Sequence, residues 1–229
     1  MKLLAETSDW LCIEKQAATS SCTLLEDVRR SFPGKYFASI YDLDDGVPGP
    51  FLIARNQQAT EKLRNAYGSN QFLFTFIGLS KSHTPCPDFW NCNLSIAWDT
   101  AKHRSYPSKD GKKSITQFSV QKRWGDIVWI ECRTNYLRKQ QIQTHAHFSY
   151  IDLLGDTLWC KEPKYLYLEN FKHFVKKSNQ KPIFQELHLY LSLVKWKLNG
   201  VSVDVPLPQP KIWARIEKFL QKYANTCNG

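Results

Sequence analysis

Glycine is scarce in this sequence, with ten among 229 residues. There is no Gly-rich nucleotide-binding loop, no G-x-S-x-G elbow, and no kinase or metalloprotease signature, which removes those enzyme classes and any cofactor they would imply. No apolar run reaches the roughly 20 residues that cross a bilayer, so no membrane partner is expected. Met1–Leu4 is too short an apolar run for a signal peptide, and Glu6 and Asp9 follow at once. The seven cysteines are odd in number and form no C-x-x-C pair. Reduced thiols in cytosol or nucleus are the expectation. Internal repeats and low-complexity tracts are missing too.

What is present is a large apolar fraction and an excess of positive charge. At 42% apolar the chain can bury a real core, and its net charge is +10. Residues 1–50 carry a net −3, whereas residues 102–139 carry +7. Lysine and arginine gain by displacing counterions from phosphates, so the middle segment is a candidate face for single-stranded RNA. Lys112, Lys113, Lys122, Arg123, Arg138 and Lys139 are its candidate phosphate contacts.

The hydropathy pattern predicts an α+β protein: a twisted mixed β-sheet or partly closed barrel flanked by helices, with a C-terminal helical extension. Residues 1–34 read as an N-terminal helical segment, with a capping box at Thr23 and Glu26 and a stop at Pro33-Gly34. Strands are expected at 35–41, 51–54, 71–78, 94–98, 115–120, 126–132 and 144–151. Helices are expected at 60–67, 165–177, 184–199 and 211–223. In 184–199 the apolar residues Phe184, Leu187, Leu191, Val194 and Leu198 follow 3–4 spacing. The domain division is then 1–34, 35–180 and a helical tail at 181–229.

Between residues 35 and 177 the order of elements resembles the YTH domain, an RNA-reading module of the PUA-like class. The resemblance rests on Lys35–Tyr41 with Asp44-Asp45, on the helix from Thr60 to Ser69, on the strand Phe72–Ile77, and on Asp126–Ile130. It implies a non-catalytic RNA-binding module that reads a modified base in an aromatic pocket. That pocket departs from the family, because the first cage position falls at Ile53 or Ala54, which carry no ring. A rebuilt pocket would use Tyr41, Phe118 and Trp124, with Asp45 on the base edge. Trp124 has the flanking residues of a loop and reads as a partly exposed ring. Trp129, between Val128 and Ile130, reads as core.

Three alternatives come from other residues. His145 and His147, read as neighbours on one strand face, resemble the metal-binding pair of HUH single-strand endonucleases, with Tyr165 or Tyr167 as nucleophile. His83, Cys86, Cys92 and His103 have the ligand types for zinc but no common spacing. A protein-interaction scaffold, docking a partner through the helical tail, is the third.

Overall fold

The computed structural model describes residues 1–17, 19–82, 86–159, 189–198 and 200–227. The expected helix at 165–177, the start of that at 184–199, His83, Tyr165 and Tyr167 lie outside the described residues.

The chain opens with a hairpin rather than a helix, β1 (Lys2–Glu6) and β2 (Trp10–Lys15). In β2, Trp10 to Ile13 are all buried, as in a strand covered on both faces. Helix α1 (Ser21–Ser31) follows, its first turn capped by Ser20 Oγ, which accepts from the Thr23 N–H at 3.1 Å. A two-residue strand β3 (Ala38–Ser39) and β4 (Gly49–Ala54) complete a four-stranded sheet in the order β1-β2-β4-β3. Helix α2 (Gln57–Gly68) is capped by Asn56, whose side chain accepts from Ala59 N at 2.7 Å.

The larger sheet contains β5 (Phe72–Ser82), β6 (Phe89–Asn93), β9 (Ile115–Trp124), β10 (Ile127–Thr134), β11 (Ile151–Leu153), β12 (Leu189–Leu198) and β13 (Val201–Pro206). Its order is β13-β12-β5-β10-β9-β6, with β11 also on β5. All described strand pairings are antiparallel rather than mixed. Among the described residues none joins the outer strands into a barrel. A separate hairpin, β7 (Ile96–Asp99) and β8 (Arg104–Pro107), projects between β6 and β9 in the chain.

Alternation along the central strands builds two cores. Phe72, Phe74 and Phe76 of β5, with Val128, Ile130 and Cys132 of β10, face the core shared with the smaller sheet. Leu79 of β5 and Ile127 and Trp129 of β10 face a second core, closed by Trp213, Ile216 and Leu220 of α4 (Lys211–Cys227). The sheets meet at Gly49, where a Cβ would lie 2.5 Å from that of Leu191. Only glycine permits that approach.

Two elements differ in type from the sequence pattern. Residues 189–198 form β12, the neighbour of β5, not a helix. A register shift between Leu191 and Leu193 inserts one residue, so Leu191 and Val194 reach the same core three positions apart. That bulge imitates helical spacing. Residues 141–148 form helix α3 (Gln141–Phe148) instead of a strand. Gln141 to Ala146 are all buried, so no amphipathic stripe marks this helix in the sequence.

Trp129 is core as expected, but Trp124 is only 5% exposed and belongs to the same cluster, its ring 6.2 Å from that of Trp129. Trp124→Ala and Trp129→Ala should each cost about 3–5 kcal/mol, the usual cost of deleting a large buried aromatic. Urea unfolding of both variants checks this; a Trp124→Ala protein as stable as the parent would contradict the packing.

Candidate active site

The loop between β3 and β4 carries three aspartates, Asp42, Asp44 and Asp45. A buried lysine holds it in shape. Lys15, the last residue of β2, is fully buried, and its Nζ donates to the carbonyls of Asp44 at 3.0 Å, Asp45 at 3.1 Å and Val47 at 3.1 Å. Burial pulls its pKa down to about 8, against the attraction of Asp45, Asp44 and Asp42. It stays mostly protonated at neutral pH, and the three carbonyls solvate the ammonium in place of water. The Val47 N–H closes a turn onto Asp44 O at 2.9 Å, and the side chains of Leu43 and Val47 anchor the loop in the core.

The frame fixes the Asp44 carboxyl. The backbone N–H of Gln140 donates to both its oxygens, at 3.0 and 2.9 Å. Gln140 precedes α3 in the left-handed conformation, with φ 55°. Burial of the carboxyl raises the Asp44 pKa to about 6. The Gln140 hydrogen bond opposes the rise, Asp42 adds to it, and Lys139 and Lys15 lower it. Asp44 nonetheless remains partly solvent-accessible.

Asp44 lines a small cavity with Asp42, Leu137, Arg138 and Gln141 among its other walls. Leu137 and Arg138 also line a cleft of about 430 Å³, whose other walls include Ile96, Trp98, Ser105, Lys112, Tyr136 and Lys139. Lys139 Nζ lies 4.1 Å over the Trp98 ring, and the Arg138 guanidinium 4.1 Å over Tyr136. The Arg138 Nε is buried without a hydrogen-bond partner. A carboxyl that titrates near neutrality thus borders a cleft with cations and aromatic faces. Such a cleft suits a polyanion with planar bases, and such a carboxyl suits nucleophilic or general-base work.

Of the candidate phosphate contacts, Lys112, Arg138 and Lys139 come together at this cleft. Lys113 lines an adjoining cavity with Arg133 and Tyr136. Lys122 and Arg123 stand at the far end of β9, roughly 30 Å away at strand spacing. There Lys122 pairs with Glu217 and Arg123 with Asp88 at 2.7 Å.

The aromatic pocket does not form. Tyr41 is buried and donates to Pro50 O at 2.7 Å; Phe118 is fully buried, stacked 5.0 Å from Trp90; Trp124 lies in the other core. Asp45 is exposed and serves the loop through its carbonyl.

The histidines are not a metal pair. On a helix, residues two apart point to different faces. His145 is buried, with Nδ1 2.9 Å from Thr116 Oγ1 and Nε2 3.2 Å from Leu94 O, and burial lowers its pKa to about 4. His147 stacks on Trp159 at 4.9 Å. The described residues contain no cluster of three or more His, Cys, Asp or Glu side chains placed to hold a metal. No described helix is long and apolar enough to cross a membrane.

No protein-family model matches the chain. A sequence relative, the "Uncharacterized RNA pseudouridine synthase YlyB" of Bacillus subtilis (strain 168), is 26% identical over 130 residues, which are 55% of this chain. The match spans 40% of that relative. Among solved structures, human RNA pseudouridylate synthase domain containing 4 superposes with a TM-score of 0.75 at 14% identity, covering 96% of this chain and 93% of that one. Human RNA pseudouridylate synthase domain containing 1 gives 0.70 at 17% identity, covering 91% and 83%.

The chain therefore has the fold of these domains, which upholds the α+β class. The names of the matched proteins, RNA pseudouridine and pseudouridylate synthases, overturn the reading as a non-catalytic RNA reader. None of these matches is a YTH protein. The expected RNA partner agrees with those names. The YTH resemblance singled out Asp45 as the base-edge contact; burial and the Gln140 donor single out Asp44 instead.

The Asp44 shift has a measurable consequence. A carboxyl whose folded pKa is raised binds protons more tightly in the folded state, so stability falls as pH climbs from about 4 to 6 and stays lower above. Asp44→Asn should remove this penalty, making the variant about 3 kcal/mol more stable than the parent at pH 8 and no more stable at pH 4. Urea unfolding of both proteins at the two pH values tests it.

Proposed function

We propose that this chain isomerises uridine to pseudouridine in RNA, with Asp44 as the reacting carboxylate. The carrying observation is the Asp44 carboxyl itself, pushed up to about 6, in a small cavity that shares Leu137 and Arg138 with a cationic, aromatic-lined cleft. The names of the matched proteins supply the reaction class.

The chemistry balances without a co-reactant. The C1′–N1 glycosidic bond breaks, the uracil turns, a C1′–C5 bond forms, C5 loses a proton and N1 gains one. Glycosidic cleavage develops positive charge at C1′, which a nearby carboxylate stabilises or captures covalently. After the new bond forms, a base must remove the C5 proton, and a carboxylate near neutrality is suited to that as well. Near neutral pH Asp44 is mainly ionised, and the rate should rise as pH passes through about 6.

Lys112, Arg138 and Lys139 are proposed phosphate contacts, and Trp98 and Tyr136 proposed stacking faces beside the target nucleotide. These groups hold and orient RNA; they do not enter the bond changes.

Incubation with RNA carrying tritium at uridine C5 reads the reaction directly, since each isomerisation releases one label. The parent should release tritium and Asp44→Ala should lower the rate by at least about 10²–10⁴-fold. Lys112→Ala with Lys139→Ala should raise KM and flatten the salt dependence, whereas Lys122→Ala with Arg123→Ala should change little. Tritium release unaffected by Asp44→Ala would end the assignment.

A further inference from the structure

We propose that Gln140 is a positioning residue, which couples the hairpin lining the RNA cleft to the orientation of the Asp44 carboxylate. The proposal rests on the reading of Asp44 as the reacting group.

Gln140 is the residue preceding α3, yet its side chain makes no capping bond to the helix. It turns the other way, into the β7–β8 hairpin. Its Oε1 accepts from the Ser105 N–H at 2.8 Å, and its Nε2 donates to the His103 carbonyl at 3.3 Å. Ser105 Oγ donates to the Lys139 carbonyl at 2.6 Å. Ser105 is itself 1% exposed. Three hydrogen bonds therefore fasten residues 139–140 to the hairpin.

The fastening opposes a backbone cost. A non-glycine residue at φ 55° sits in a sparsely populated region and holds it only where its surroundings impose it. In this conformation the Gln140 N–H points at both Asp44 oxygens. If the tethers go, the backbone can relax and the donor leaves the carboxylate. Asp44 also faces Asp42 from its own loop, Lys15 from β2, and Arg138 and Lys139 from the segment before α3. Of these, Lys139 also meets the hairpin by its side chain, with Nζ over the Trp98 ring, but it is Gln140 whose side chain is hydrogen-bonded to the hairpin while its N–H holds the carboxylate.

The hairpin is also a wall of the cleft, through Ile96, Ala97, Trp98 and Ser105. RNA seated there presses on the element that holds the donor, so cleft occupancy and carboxylate orientation are mechanically joined.

The test uses Gln140→Ala and Ser105→Ala in the full chain. Alanine keeps the N–H and the Cβ that makes positive φ costly, so Gln140→Ala removes the two side-chain tethers alone. Ser105→Ala removes only the bond to Lys139 O, and serves if the first variant folds poorly. The first readout is the carboxyl titration of Asp44 followed by carbon-13 NMR, assigned with Asp44→Asn, which needs no activity. The second is tritium release, split into kcat and KM.

Loosening the donor should move the Asp44 midpoint upward and lower kcat by about 10- to 100-fold, the scale of a misplaced reacting group, while KM holds. The pH midpoint of kcat/KM should move with the NMR midpoint. An unchanged Asp44 titration in both variants overturns the proposal, whatever the rate does. A shifted titration in a protein whose parent releases no tritium supports the tether and instead ends the catalytic reading of Asp44.

Discussion

The site depends on one buried ammonium. Lys15 sits where β2 ends, among three carbonyls of the loop that carries Asp44. An unpaired buried cation would be untenable, and unpaired buried carbonyls costly, so each requires the other. Three near-tetrahedral donors meeting three acceptors set the loop in one shape. The first hairpin, β1–β2, is thereby part of the frame around Asp44: it places Lys15 under the loop between β3 and β4.

A second set of polar contacts sets α3 into the larger sheet. The Gln141 side chain donates to Thr116 Oγ1, Thr134 Oγ1 and Ile115 O, each at 3.1 Å, and His145 meets Thr116, Ser114 and Leu94. Burying so many polar groups is tolerable only when each is bonded, and geometry that satisfies them all leaves the helix one seat. That seat brings the Gln140 N–H to Asp44 and carries Leu137 and Arg138 into the cleft wall. The fold's two halves, the four-stranded sheet with its loop and the larger sheet with α3, meet at the carboxylate.

Charge serves the two ends of the larger sheet differently. Around the cleft, Arg138 and Lys139 lie over aromatic rings, and Lys112 lines the same wall. At the other end, Lys122 and Arg123 are engaged by Glu217 and Asp88, so their charge is locally offset. A segment with net charge +7 is thus not one basic surface. Strand β9 carries Lys122 and Arg123 away from the end of the sheet where Lys112, Arg138 and Lys139 line the cleft.

The sequence by itself determined the α+β class, strands β5, β9 and β10, helix α2 and the basic character of the middle segment. Alternation, capping and charge are local properties, readable without knowing what packs where. It could not distinguish β12 from a helix, because the bulge after Leu191 changes a two-residue period into a three-residue step. Nor could it show α3, whose burial on every side erases the stripe that marks a surface helix. Only the tertiary structure chose Asp44 over Asp42 and Asp45. Its neighbours come from 29 residues before it in the chain and from 96 after it. A carboxylate's pKa and aim are set by burial and by the donors that reach it, and those are properties of the packed chain.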